Sequence, residues 1–152
     1  MYCRPVSPSM GVAVQLPPQR NCATAVLTMS RDATLSRIMS SGVVAVLRAP
    51  NGEVLLDVAG ALAAGGVEAV EVTFTVPGAH RVIEQVAHRL GNKVLLGAGT
   101  VLDAETARIA LLLGAEFIVS PTVNLEVIRL CRRYDKAVMP GALTPKIGRA
   151  HV

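Results

Sequence analysis

Glu71, Thr73 and Thr75 stand two residues apart in the run EVTFTVP (71–77). In an extended strand that spacing puts all three on one face, with Val70, Val72 and Phe74 on the other. A carboxylate inside an otherwise apolar strand is costly unless it is paired or hydrogen-bonded. Two readings fit. Glu71 ion-pairs with Arg48 from a neighbouring strand, or it is a general acid and base held in a low-dielectric pocket. Both hold together if Arg48 positions the glutamate or a substrate carboxylate. Similar polar or small residues close other apolar runs: Arg48 after VVAVL, Gly97, Gly99 and Thr100 in VLLGAGT, Ser120 and Pro121 in FIVSP, and Pro140, Gly141 and Thr144 in VMPGALT. GAGT (97–100) reads as a tight, backbone-exposing turn ending in a hydroxyl. It lacks the further glycine and the following acid of a dinucleotide fingerprint, so NAD is discounted.

These residues need elements to hold them. MSRDATLSRIMSSG from Met29 reads as a short first helix capped by Ser30 or Asp32. VVAVL (43–47) is a continuous apolar run of strand length. NGEVLLDVAGALAAGG (51–66) has helical spacing and closes on Gly65 and Gly66. VEAVEVTFT (67–75) is the second strand, and Pro77 opens a helix as its first-turn proline, reaching about Leu90. NKVLLGAG (92–99) is the third strand. DAETARIALLLG (103–114) is a helix capped by Asp103, AEFIVSP (115–121) the fourth strand, NLEVIRLCRRYD (124–135) a helix, and KAVMPGA (136–142) the fifth strand. A repeat of about 22 to 25 residues alternating strand and helix predicts a parallel sheet covered on both faces. A (β/α)8 barrel and an open doubly wound sheet both fit, and both collect chemistry at the C-terminal strand ends.

Composition narrows the function classes. Of 152 residues 51% are apolar and 17% charged, which excludes a disordered chain. With two Phe, two Tyr and no Trp, the core is built from Val, Leu, Ile and Ala. The net charge is +4, but no basic face runs along one helix and no aromatics interleave with it, so nucleic-acid binding is not expected. Cys3, Cys22 and Cys131 are too scattered for a disulfide framework or a zinc site, and His80, His88 and His151 lack metal-ligand spacing. No apolar run reaches the roughly eighteen residues of a membrane span.

VVAVLRA, GGVEAVEVTFTVPGA, VLLGAGTVLDAETA, GAEFIVSPTVN and VMPGALTP, in that order between Leu35 and Pro145, resemble the 2-keto-3-deoxy-6-phosphogluconate (KDPG) and 4-hydroxy-2-oxoglutarate (KHG) aldolase family. The resemblance implies an α/β fold, a (β/α)8 TIM barrel usually assembled as a cytoplasmic homotrimer, of which this chain carries about the first five units. It implies a class I aldolase, a lyase without metal or cofactor. Its lysine forms a Schiff base with the keto carbon of a 2-keto-3-deoxy sugar acid of the Entner–Doudoroff type, and pyruvate and an aldehyde are released. By the same resemblance Glu71 is the catalytic proton carrier. Thr100 contacts the pyruvyl carboxylate, Arg48 lies near the substrate, and Thr73, Thr75 and Pro121 complete the substrate-binding set. Thr75 stands where one branch of the family has arginine, which leaves the sugar acid and its phosphorylation open.

The family's lysine lies on a sixth strand in a K-x-F-P-like stretch that this sequence lacks. Lys93 and Lys136 begin the third and fifth strands, at the opposite end from Glu71, and read as ordinary surface lysines. The phosphate-binding loops after strands seven and eight are absent as well. KIGRAHV (146–152) departs from the family pattern and translates one frame of a common sequencing adapter, so it is expected to be non-native. Residues 1–28, with four prolines and no acid, fit a transit peptide, a flexible extension or a miscalled start; the start at Met29 is preferred. Residues 29–145 are then a partial barrel, expected to be poorly soluble and inactive. The alternatives are another phosphate-handling barrel, of the thiamine-phosphate synthase or indole-glycerol-phosphate kind, and a non-enzymatic product that pairs through its open sheet.

Overall fold

The computed structural model describes residues 29–144. The readings of residues 1–28 and of the tail 146–152 lie outside them. Helix α1 (Arg31–Ser41) starts at Ser30, whose Oγ accepts the Ala33 N–H at 3.3 Å. Asp32, the other candidate cap, sits instead in the first turn and pairs with Arg31. The helix ends at Gly42 in the left-handed region (φ 68). Then β1 (Val44–Leu47), α2 (Glu53–Ala64), β2 (Ala69–Thr73), α3 (Ala79–Leu90), β3 (Leu95–Gly99), α4 (Ala104–Leu112), β4 (Phe117–Ser120), α5 (Leu125–Arg133) and β5 (Ala137–Pro140) alternate in chain order. Asp103 caps α4 by accepting the Thr106 N–H at 2.6 Å, and Asn124 caps α5 by accepting the Glu126 N–H at 2.9 Å.

The sheet is parallel throughout, and its spatial order is β1-β2-β3-β4-β5. A doubly wound sheet reverses its order at a switch point. This one does not, so that alternative fails for the described residues. Right-handed crossovers in one running direction put every connecting helix on the same face. That face carries the main core: Leu47, Val70, Val72, Leu96, Ala98 and Ile118 from the strands meet Leu55, Ala59, Ile83, Val86, Ala107 and Val127 from α2 to α5. The other face has a smaller apolar layer of Ala69, Leu95, Phe117 and Ala137 near the strand N-termini, covered by Met29, Leu35 and Ile38 at and within α1.

Several expectations need correction. Pro77 does not lie in the first turn of α3. Gly78 takes φ 72 and is the N-cap, so Pro77 belongs to the preceding turn. Helix α2 does close on Gly65 and Gly66 as expected, with Gly65 the C-cap at φ −81 and Gly66 the left-handed exit at φ 90. Burial on both faces holds for β2 and β3, where every residue is buried, but not at β1, where Val46 is 57% exposed. The reason is position: β1 and β5 each pair with one neighbour among the described residues. GAGT is not a turn. Gly97 to Gly99 are strand β3, and only Thr100 (φ 56) begins the bend.

Candidate active site

Glu71 lies on the face of β2 opposite α2 to α5, level with Val46 of β1 and Gly97 of β3. It is 7% exposed. No hydrogen bond or ion pair within 4 Å holds its carboxylate among the described residues. The expected ion pair with Arg48 is therefore not formed. Arg48 follows β1, is exposed, and acts on Glu71 only as a more distant positive charge. Burial pushes the Glu71 carboxyl above the usual carboxylate range, and the Arg48 charge offsets part of that rise. A carboxyl so placed holds a proton more readily than an exposed one, which suits a group that must both give and take protons.

The hydroxyls gather toward the strand C-termini. Thr73 closes β2 and is buried. Thr75 falls outside the strand, because the chain turns at Thr73 (Val76 N–H to Thr73 carbonyl, 3.1 Å), yet its Oγ1 lies 2.9 Å from that of Thr73. Thr75 and Thr100 line a cleft of about 290 Å³ with Phe74, Leu102, Asp103 and Thr106; Glu71 is not part of that lining. Ser120 closes β4, its carbonyl accepting the Gly141 N–H at 2.7 Å, and the exposed Pro121 follows it. The C-terminal ends of β2 and β3 thus bring Glu71, Thr73, Thr75 and Thr100 into one region. Arg48 and Pro121 flank it just after β1 and β4, at the sequence-expected ends, with no hydrogen bond or ion pair to Glu71 among the described residues.

Lys93 precedes β3 and is exposed, as expected. Lys136 overturns its expectation: its side chain is 7% exposed. It is ion-paired with Glu116, whose Oε2 also accepts the Met29 N–H at 3.2 Å, and Lys136 Nζ donates to the Met29 carbonyl at 3.4 Å. The cluster ties the start of α1 beneath β4 and β5, at the strand N-termini and away from Glu71. Sequence reasoning missed it because Glu116 and Lys136 are 20 residues apart, but each directly precedes a strand in register (Phe117 beside Ala137). Among the described residues no group of three or more His, Cys, Asp or Glu is arranged to hold a metal. No helix among them is long and apolar enough to cross a membrane.

A family model described as KDPG and KHG aldolase matches residues 35–148. A 2-dehydro-3-deoxy-phosphogluconate aldolase of Treponema pallidum is 38% identical over 109 residues, covering 71% of this chain and 51% of that protein. A 2-dehydro-3-deoxy-6-phosphogalactonate aldolase of Escherichia coli is 35% identical over 101 residues, covering 66% of this chain and 49% of that protein. Among solved structures, the KDPG aldolase of Zymomonas mobilis with 3-phosphoglycerate is similar at a TM-score of 0.67 and 30% identity, over 74% of this chain and 53% of that one. The KDPG aldolase of Legionella pneumophila, with pyruvate captured as a covalent carbinolamine, is similar at a TM-score of 0.66 and 27% identity, over 71% of this chain and 52% of that one. The chain spans about half the length of the curated relatives it matches. These relatives are aldolases, carbon–carbon lyases, and the chain belongs to the KDPG and KHG aldolase family.

Proposed function

We propose that this chain is the N-terminal part of a class I aldolase that cleaves a 2-keto-3-deoxy sugar acid, or 4-hydroxy-2-oxoglutarate, to pyruvate and an aldehyde. One observation carries the reading: a buried carboxyl, Glu71, without a hydrogen-bond partner among the described residues, on the face opposite α2 to α5 near the C-terminal strand ends. In this reading the five strands are the first five of a (β/α)8 barrel, which puts Glu71 inside it. A lysine amine adds to the keto carbon. Glu71 gives a proton to the carbinolamine oxygen as water leaves, then takes the proton of the substrate hydroxyl as the C–C bond breaks and its electrons enter the imine. Thr73, Thr75 and Thr100 offer hydroxyls to the pyruvyl end, and the Arg48 charge favours an acid substrate. The carbinolamine of the Legionella relative supports lysine chemistry for the family.

Neither described lysine fills the nucleophile's role, since Lys93 and Lys136 stand at the strand N-termini. In this reading the amine comes from a following strand outside 29–144, and the working enzyme is a longer polypeptide, a cytoplasmic homotrimer, with the 152-residue chain alone inactive; that the chain spans about half the length of its curated relatives supports this. The test pairs the 152-residue chain with the product of the genomic reading frame that continues past Pro145. Each is assayed for pyruvate release from KDPG, its galactonate epimer and 4-hydroxy-2-oxoglutarate. Release by the longer product alone is expected. Release by the 152-residue chain, or by neither, contradicts the reading.

A further inference from the structure

On its inner face β3 presents Leu95, Gly97 and Gly99 in turn. Only the first supplies its own bulk; the spaces over the two glycines are filled from neighbouring strands. A Cβ on Gly97 would overlap the Phe117 ring of β4, and a Cβ on Gly99 would overlap Oε1 and the carboxyl carbon of Glu71 from β2. Neither glycine has the positive φ that demands the residue for backbone reasons. Their role is the space they leave.

The register explains why the carboxyl goes to Gly99. Glu71 is directly beside Gly97, and Gly99 is beside Thr73. The nearer space is taken by Phe117, which is fully buried. The Glu71 side chain therefore leans along the strand by one inward-facing position, about 6.6 Å, toward the strand C-termini. No hydrogen bond among the described residues fixes the carboxylate, which leaves packing to place it.

We propose that Gly99 is a positioning residue: its missing Cβ is the groove that seats the Glu71 carboxyl flat against β3 and sets its depth below the substrate face. Gly97 and Phe117 form the stop that keeps the carboxyl from the lower position. A methyl group at 99 pushes the carboxylate off the strand toward solvent. The functional meaning rests on the acid–base reading of Glu71, but the steric claim does not, and the experiment reads it without activity.

The test is a double-mutant cycle of Gly99→Ala and Glu71→Ala on the refolded 152-residue chain, read by urea denaturation, with a carbon-13 titration of the Glu71 carboxyl. Alone, Gly99→Ala is expected to lower the urea midpoint and to move the Glu71 titration down toward the ordinary value of 4.5. With Glu71→Ala, which vacates the groove, Gly99→Ala leaves the midpoint unchanged or raises it. If Gly99→Ala folds only when combined with Glu71→Ala, the proposal is supported equally. An equal loss in both backgrounds, failure to fold in both, or an unmoved Glu71 titration in folded Gly99→Ala overturns it. Failure of the aldolase assays with this cycle intact would strike the catalytic reading and leave the seating standing.

Discussion

Replacing Lys136 by Met keeps the length of the side chain and removes its charge. It leaves the Glu116 carboxylate, 13% exposed, without its cation beneath β4 and β5. Breaking one side of a buried ion pair typically costs about 3–5 kcal/mol, because the surviving charge has lost its partner but not its burial. Glu116 keeps the Met29 N–H, so the lower figure of about 3 kcal/mol applies. Domains are stable by roughly 5–15 kcal/mol in all, so this is a large share. With an m-value of about 1–3 kcal/mol/M, the urea midpoint falls by roughly 1–3 M. Circular dichroism through a urea series reads this directly, and hydrogen exchange should show α1 losing protection first, since Met29 is tied to the same cluster. The double variant Lys136→Met/Glu116→Leu removes both charges and should recover to within about 1 kcal/mol of the parent. A single variant within about 1 kcal/mol of the parent, or a double variant worse than the single, would refute the reasoning.

Three further outcomes follow from particular side chains. Thr34 is fully buried in α1 with no hydrogen-bond partner for its Oγ1 among the described residues, so Thr34→Val should stabilise the chain by about 1 kcal/mol, read as a higher urea midpoint. Asp103→Ala removes the α4 cap and should cost about 0.5–2 kcal/mol at neutral pH. Its hydrogen bonds hold the Asp103 carboxyl below its ordinary value of 3.8, so this stability is present above that value, is lost as pH falls through the lower folded value, and the gap between variant and parent closes there. Glu71 has the opposite sign: its raised folded value means that the parent is most stable below about pH 4.5 and weakens as pH rises from there through the folded value. Glu71→Gln should remove that decline, gaining on the parent across this window; a parent that gains on the variant instead would contradict the burial argument.

Periodicity made most of the fold legible. Alternation put Glu71 and Thr73 on one face and Val70 and Val72 on the other, as found. The order of the strands was not readable, because a 22- to 25-residue repeat serves a barrel and a doubly wound sheet alike. The glycines of GAGT misled, since local propensity ties glycine to turns, whereas here two of them make room for side chains of other strands. The same limit hid the Lys136–Glu116 cluster and the missing Glu71–Arg48 pair: both depend on how far apart neighbouring strands place their side chains. Thr75 left the strand but kept its hydroxyl partner, so its grouping with Thr73 survived the wrong boundary.

The account turns on Glu71 moving protons for a lysine–pyruvate adduct. Borohydride reduction in the presence of pyruvate, followed by mass spectrometry, measures this on the longer polypeptide proposed above, with Glu71 or with Gln in its place. The account predicts a covalent pyruvyl adduct that accumulates at least 100-fold more slowly in the Gln variant, in line with the usual contribution of a general acid or base. Equal trapping rates in the two proteins would contradict it.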